Sequence, residues 1–411
     1  MKKIGIEYLK RKRKRMKYKP YNLKDVVKAS EQEKFTVVST FAGGGGSSTG
    51  YRLAGGKILC VNEFVEQAIN TYKENYPDTP VLPDDIKKLT AENFNKYGDI
   101  DIFDGSPPCS AFSVSGAMVQ GGHSKGWGQT KNYSDGKKIE NIEDLFFEFL
   151  RVAKDLRPKV IVAENVKGLT VGEAKKYYYK ITNTFEEIGY DVSSKVLNSV
   201  HYGVPQTRQR TIFIAVREDV TQEIGLTFMN IASIFPDESK DVVTLEDCLS
   251  DVEVDRKEAD ELTEKFKNKS HYETWLKMPD DPDKVETGCD YHPKGHHFNM
   301  KKTSRHKPAP TITATGGAMH WTEPRPFTIK ETKRIMSLPD DFKLTGSHSQ
   351  QSERCGRMVP PLMMKAIAES IYEKVLKPYY KKKPKEIGGR KDGLEPTRYN
   401  DWESKGRCID F

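Results

Sequence analysis

Cysteine is scarce in this 411-residue chain, and the six that occur (Cys60, Cys109, Cys248, Cys289, Cys355 and Cys408) are widely scattered with no Cys-x-x-Cys pair. That spacing argues against a disulfide framework or a zinc ribbon and leaves the thiols free. Long apolar runs are lacking too. Nothing approaches the roughly 18 consecutive apolar residues of a membrane span, and no apolar segment of a signal peptide follows the basic N-terminus. A cytoplasmic protein that engages no membrane is therefore expected. There is no internal repeat, and no Gly-x-x-x-x-Gly-Lys-Ser/Thr loop, which disfavours a nucleoside triphosphate. The net charge of +8 is modest but uneven, with dense basic runs at Lys10 to Lys19 and Lys377 to Lys385 that suit a polyanion.

At 36% hydrophobic the chain can bury a full core. Residues 1–34 read as a basic arm, because the first apolar strand begins only at Phe35. From 35 to 216, short apolar runs (Ile58 to Val61, Ile100 to Phe103, Val160 to Ala163, Val192 to Val196, Thr211 to Val216) alternate with helical spacing. Leu145 to Ala153 carries that spacing, as does the stretch through Ile181, Phe185 and Ile188 that stops at Gly189. Strands separated by helices predict an α/β fold: a doubly wound, mostly parallel sheet covered on both faces. Residues 217–324 are richer in Asp, Lys, His and Pro and predict a smaller, loop-rich domain. A last amphipathic helix, Met363 to Val375, is expected to return residues 325–377 to the main domain, leaving 378–411 as a basic tail.

Chemistry gathers at the ends of the predicted strands. Phe41-Ala42-Gly43-Gly44-Gly45-Gly46 follows the first strand, where an open parallel sheet binds its ligand and glycines let the backbone approach it. Glu63, at the end of the second strand, can bond both hydroxyls of a ribose, Phe64 can stack on an adenine, and Asp85-Ile86 can read the adenine amino group. An adenosine without phosphate fits this set best. Asp104-Gly105-Ser106-Pro107-Pro108-Cys109 ends another strand in two prolines and a thiol. Cys109 alone is either a buried structural cysteine or a nucleophile. Glu164 in Ala163-Glu164-Asn165-Val166, and Arg208 and Arg210 in Gln206-Thr207-Arg208-Gln209-Arg210, bring an acid and two guanidinium groups to the same sheet edge.

In this order, Phe-Ala-Gly-x-Gly-Gly, Pro-Cys, Glu-Asn-Val, Gln-x-Arg-x-Arg and Gly-x-x-Val-Pro, the blocks resemble those of the DNA cytosine-5 methyltransferases of bacterial or phage type, from about Thr36 to Val375. The resemblance implies the S-adenosylmethionine-dependent fold with a target-recognition domain at 217–324. It implies S-adenosylmethionine as methyl donor, duplex DNA as partner, a monomer, and a place in restriction-modification. Cys109, Glu164, Arg208 and Arg210 would be the catalytic residues, and Phe41, Gly43, Glu63, Phe64, Asp85, Ile86, Pro108, Leu145 and Val359 the cofactor contacts. One block departs from the family pattern: Gly356-Arg357-Met358-Val359-Pro360 stands where Gly-Asn-Ser-Val-Pro is usual.

In the implied reaction the thiolate of Cys109 adds to carbon 6 of a flipped cytosine and makes carbon 5 nucleophilic, Glu164 supplies a proton at N3, and Arg210 bonds O2. The glycine- and lysine-rich stretch 113–138 is expected to close over DNA. Alternatives are a catalytically inactive DNA-binding relative, a transfer-RNA cytosine-5 methyltransferase and an amino-group methyltransferase. The last leaves Cys109 and Glu164 without a task. Cys289, His292, His296 and His297 have a spacing compatible with zinc, but no fourth ligand is obvious. Contacts to phosphates or base edges, with no metal, are the expectation.

Overall fold

The computed structural model describes residues 17–108, 144–170, 174–227, 229–314 and 317–382. It also describes the backbone of two strand pairs, Lys131–Asn132 with Lys138–Ile139 and Trp402–Ser404 with Arg407–Ile409. Cys109, most of the stretch 113–138 and most of both basic runs' outer halves lie outside the described residues.

The central sheet is built from β1 (Phe35–Thr40), β2 (Gly56–Asn62), β3 (Val81–Leu82), β4 (Ile102–Gly105), β5 (Val160–Val166), β6 (Tyr190–Asn198) and β7 (Gln209–Arg217). Their spatial order is β3-β2-β1-β4-β5-β7-β6. Pairing is parallel from β3 through β5, and β7 alone runs antiparallel to its neighbours. The inner strands β1, β5 and β7 are rich in β-branched and apolar residues on both faces because both faces are covered. Val37 points into one cluster with Ile102, Val160 and Ile214, and Val38 into a second with Phe103, Ile161 and Phe213.

Helices α2 (Gly46–Leu53) and α10 (Pro361–Ile371) cover the first face, and α4 (Leu145–Leu156) and α5 (Ala174–Glu187) the second. The α5 helix ends where expected, at Gly189 with φ 86°, a conformation glycine adopts without steric cost. The strand order reverses between β1 and β4, and this opens a crevice at their carboxyl ends.

Three expectations about boundaries meet a different arrangement. Residues 17–34, read as an arm, include α1 (Leu23–Ser30), whose Val26 is fully buried, and Tyr21 donates a 2.5 Å hydrogen bond to the Ser337 carbonyl. The apolar faces of Tyr18, Tyr21 and Val26 outweigh the local basic composition. Residues 218–235, placed with the second domain, pack on the sheet through Val220, Ile231, Ile234 and Phe235. The terminal helical stretch runs past 377 to Lys382, with Tyr379 buried and the Tyr380 hydroxyl bonded to Asp101.

The region beyond Asp241 is stabilised by small clusters of its own. Lys302 is fully buried, paired with Asp280 at 2.9 Å and lying 3.7 Å from the centre of the Trp275 ring. Arg325, also fully buried, is held on both oxygens of Glu331 at 2.7 and 3.1 Å. Buried charges of this kind persist because each is paired and hydrogen-bonded. Among the described residues no helix is long and apolar enough to cross a membrane.

Helices α2 and α10 approach each other closely at Gly50. A methyl group on Gly50 would come within 2.6 Å of both Met364 Cβ and the Pro361 carbonyl oxygen, with the Lys365 nitrogen at 2.9 Å. Gly50→Val should therefore cost about 1–3 kcal/mol through overpacking against main chain that cannot yield. Urea unfolding followed by circular dichroism will measure it.

Candidate active site

The glycine-rich loop after β1 is shaped by backbone demands. Phe41, Gly43 and Gly45 have φ of 51°, 54° and 101°, a tight course that swings the chain over the crevice before α2 begins. Gly43 is open on its Cα side, with nothing among the described residues within 4 Å of an added methyl group, so main chain and ligand can meet there. Gly44 and Gly46 serve a different purpose. A methyl on Gly44 would lie 2.3 Å from Met358 Cε, and one on Gly46 2.4 Å from the Val359 carbonyl oxygen. The segment that departs from the family pattern is thus seated under this loop. Met358 and Val359 are buried there, while Arg357 pairs with Glu353 at 2.6 Å.

Glu63 is the organiser on the β2 side. One carboxylate oxygen accepts the Gly43 N–H at 2.8 Å, and the other accepts the N–H groups of Phe64 and Val65, both at 2.8 Å. An acid holding three main-chain donors ties the glycine loop to the β2 end. Asp85 caps the turn after β3 by accepting the Lys87 N–H at 3.0 Å, and Ile86 behind it is buried. Arg151 of α4 braces that turn, donating to the Ile86 and Leu89 carbonyls at 3.1 and 3.0 Å. Leu145, at the start of the same helix, is buried. Sequence reasoning did not single out Arg151, since a helix-borne arginine is ordinarily a solvated charge.

β4 ends at Gly105, and Ser106, Pro107 and Pro108 lead on toward Cys109. Its neighbour β5 pairs Ala163 with Gly105 and carries Glu164 one residue further toward the same edge. Glu164 Oε1 meets Arg210 Nε at 2.6 Å, both side chains being largely buried. The antiparallel β5 to β7 pairing, with Val166 opposite Arg210 and Glu164 opposite Ile212, sets them diagonally across two adjacent strands. Asn165 is buried, its side-chain oxygen accepting the Val166 N–H, and its amide nitrogen has no partner among the described residues.

Arg208, expected beside Glu164 and Arg210, has a different environment. It is buried, and its guanidinium donates to the carbonyls of Ile312 and Gly356 at 3.1 and 2.9 Å. Around it, Gln206 accepts the Ile312 N–H at 3.2 Å and Thr311 donates to the Thr207 carbonyl at 2.7 Å. Three distant segments, 206–210, 309–314 and 356–360, are joined there. The histidine group gives stacked rings: His292 lies on His296 at 4.9 Å and His271 on His297 at 4.0 Å. Among the described residues no group of three or more metal-ligating side chains could hold a metal ion.

This geometry, a glycine loop with an acid beneath it and a carboxylate-guanidinium pair at the next strand ends, coincides with a match over residues 35–373 to the model of the C-5 cytosine-specific DNA methylases. The chain belongs to that family. It is 30% identical over 351 residues to the type II methyltransferase M1.HphI of Haemophilus parahaemolyticus, covering 82% of this chain and 86% of that one. It is 29% identical over 354 residues to M.Eco47II of Escherichia coli, covering 82% and 78%. A solved structure from an Escherichia coli prophage, assigned as a DNA modification methyltransferase, superposes with a TM-score of 0.61 at 22% identity, over 84% of this chain and 99% of that one. A model of a family of unknown function also matches residues 366–411. The chain is therefore a DNA cytosine-5 methyltransferase with the mostly parallel sheet of that family.

For this methyltransferase, Arg208→Met removes the donor to two buried carbonyls and should lower stability by about 2–4 kcal/mol. Chemical denaturation is the check.

Proposed function

We propose that the cytosine is methylated through a covalent adduct of Cys109, with Glu164 and Arg210 as its catalytic partners and S-adenosylmethionine as methyl donor. The observation that carries this reading is the Glu164–Arg210 pair at 2.6 Å, one strand away from the Ser106 to Pro108 segment that delivers Cys109. Carbon 5 of cytosine is a poor nucleophile. A thiolate adding to carbon 6 pushes electron density onto carbon 5, and the charge that develops on N3 needs a proton. Glu164 passes a proton to N3 as that charge develops, and Arg210 both orients the carboxyl group and donates to O2. The base reaches these groups only when flipped from the duplex, at a cost of a few kcal/mol.

The donor fits the crevice through groups present here: the open face of Gly43, the Glu63 carboxyl and its neighbour Phe64, the Asp85-Ile86 turn, and the apolar Leu145 and Val359. Phe41 and Pro108 border the same crevice by their positions at the ends of β1 and β4. When bound, S-adenosylmethionine supplies an electrophilic methyl group. Loss of the carbon 5 proton and expulsion of the Cys109 thiolate then restore the enzyme. Arg208 acts in this scheme by joining segments rather than by touching the base. We assign duplex DNA read by the region from about 241 to 324, a monomer, and the cytoplasm as the setting.

Bisulfite sequencing of DNA from cells expressing the protein, with total transfer RNA as a parallel sample, tests the reading. New 5-methylcytosine in one DNA sequence context is expected, and modification confined to transfer RNA would overturn it. Cys109→Ala should abolish transfer while S-adenosylmethionine binding by calorimetry persists, and duplex DNA carrying 5-fluorocytosine should trap the unaltered enzyme covalently. Glu164→Gln should slow single-turnover methylation about 100-fold or more with little change in DNA affinity. A rate near that of the unaltered enzyme would remove Glu164 from the mechanism.

A further inference from the structure

Asp104 is 1% exposed and sits at the centre of the sheet, yet among the described residues it has no cation within ion-pair distance. Among the described residues its carboxylate is met by hydroxyl groups alone. Ser39 donates to Oδ2 at 2.7 Å, Ser47 to the same oxygen at 3.0 Å, and Tyr51 to Oδ1 at 3.1 Å. The Thr40 hydroxyl adds a 3.1 Å bond to the Asp104 main-chain carbonyl. Burial pushes the carboxyl up to about 6, with the nearby Glu164 adding to the rise and the three hydroxyls opposing it. All three hydroxyls nevertheless donate to it, two on Oδ2 and one on Oδ1.

The positions of those donors give the arrangement its meaning. Ser39 lies on β1 directly opposite Asp104 in the parallel register, two residues before the glycine-rich loop begins at Phe41. Ser47 lies in the first turn of α2, immediately after that loop ends, and Tyr51 is one helical turn further on the same face. Asp104 itself lies five residues before Cys109. One carboxylate therefore grips both ends of the glycine-rich loop and the end of the strand that leads into Ser106, Pro107 and Pro108.

We propose that Asp104 is a positioning residue that locks the glycine-rich loop and the Ser106–Pro108 segment into one frame, fixing the methyl donor relative to the base held on Cys109. The proposal rests on the Cys109 mechanism and separates its two halves. Addition of the thiolate to carbon 6, followed by uptake of a solvent proton at carbon 5, release of the original carbon 5 hydrogen and expulsion of the thiolate, needs only the thiol side. Methyl transfer needs both sides in register, where a misplacement near 1 Å costs roughly 100-fold.

The test uses the full chain and duplex DNA tritiated at carbon 5 of cytosine. Exchange of tritium into water is measured without S-adenosylmethionine, and methyl transfer at saturating S-adenosylmethionine. Asp104→Asn should exchange within about threefold of the unaltered enzyme while kcat for transfer falls about 30-fold or more and KM for DNA barely moves. Ser47→Ala keeps the carboxylate and removes one grip, so it should show the same split with a smaller loss of transfer. That variant decides the matter if Asp104→Asn does not fold. Transfer at the unaltered rate in Ser47→Ala, or equal loss of exchange and transfer, would overturn the proposal. Absence of both exchange and transfer in the unaltered protein would overturn the Cys109 mechanism and this inference together.

Discussion

The parallel pairing of β1 with β4 is the constraint on which the remaining architecture depends. β1 gives one ladder to β2 and the other to β4, so the connections after β1 and after β4 leave the sheet on opposite sides and part at the carboxyl ends. The glycine-rich loop occupies one lip of the resulting crevice and the Ser106 to Pro108 segment the other. Ser39 opposite Asp104 and Thr40 opposite Gly105 fix the register of the two lips to a single residue. A slip of one residue would turn Asp104 to the apolar face that holds Phe103 and Phe149.

The close approach of chain segments explains why glycine is so dense around this crevice. Gly44 and Gly46 yield space to Met358 and Val359, Gly50 to Met364, and Gly105 to Phe149, where a methyl would lie 2.5 Å from the ring. The first three contacts bring residues from the last fifth of the chain against a loop and helix from its first eighth. The departure at Arg357 and Met358 is accommodated in the same way. Met358 fills volume beneath the loop, and Arg357 turns to Glu353 on its own helix, α9 (His348–Arg357).

Polar groups buried around the site are satisfied by three different means. Glu63 holds main-chain N–H groups, Asp104 holds hydroxyls, and Glu164 holds a guanidinium. Arg208 inverts the pattern as a cation on main-chain carbonyls. Each arrangement lowers the penalty of burial differently, and each joins elements that are remote in sequence. Asp104 is tied to residues 53, 57 and 65 positions away.

The amino-acid sequence by itself determined the alternation of strand and helix, the ends of the strands at which chemistry would gather, and the family. Those features are local: apolar periodicity, a glycine after a strand, a proline pair before a thiol. Glu63 and Glu164 were legible for the same reason, each standing at the end of an apolar run. The sequence did not distinguish Arg208 from Arg210, two residues apart in one motif, because their difference lies in what surrounds them. One meets a carboxylate across a strand pair, and the other meets carbonyls of Ile312 and Gly356 that lie 104 and 148 positions away. Nor did composition reveal that residues 17–34 and 218–235 belong to the main core, since a few buried aromatic and aliphatic side chains outweigh many exposed charges. Asp104 passed unremarked beside its cysteine. Only the tertiary structure brought Ser39, Ser47 and Tyr51 onto one carboxylate, because hydrogen bonding in a dry interior is decided by packing and not by neighbours along the chain.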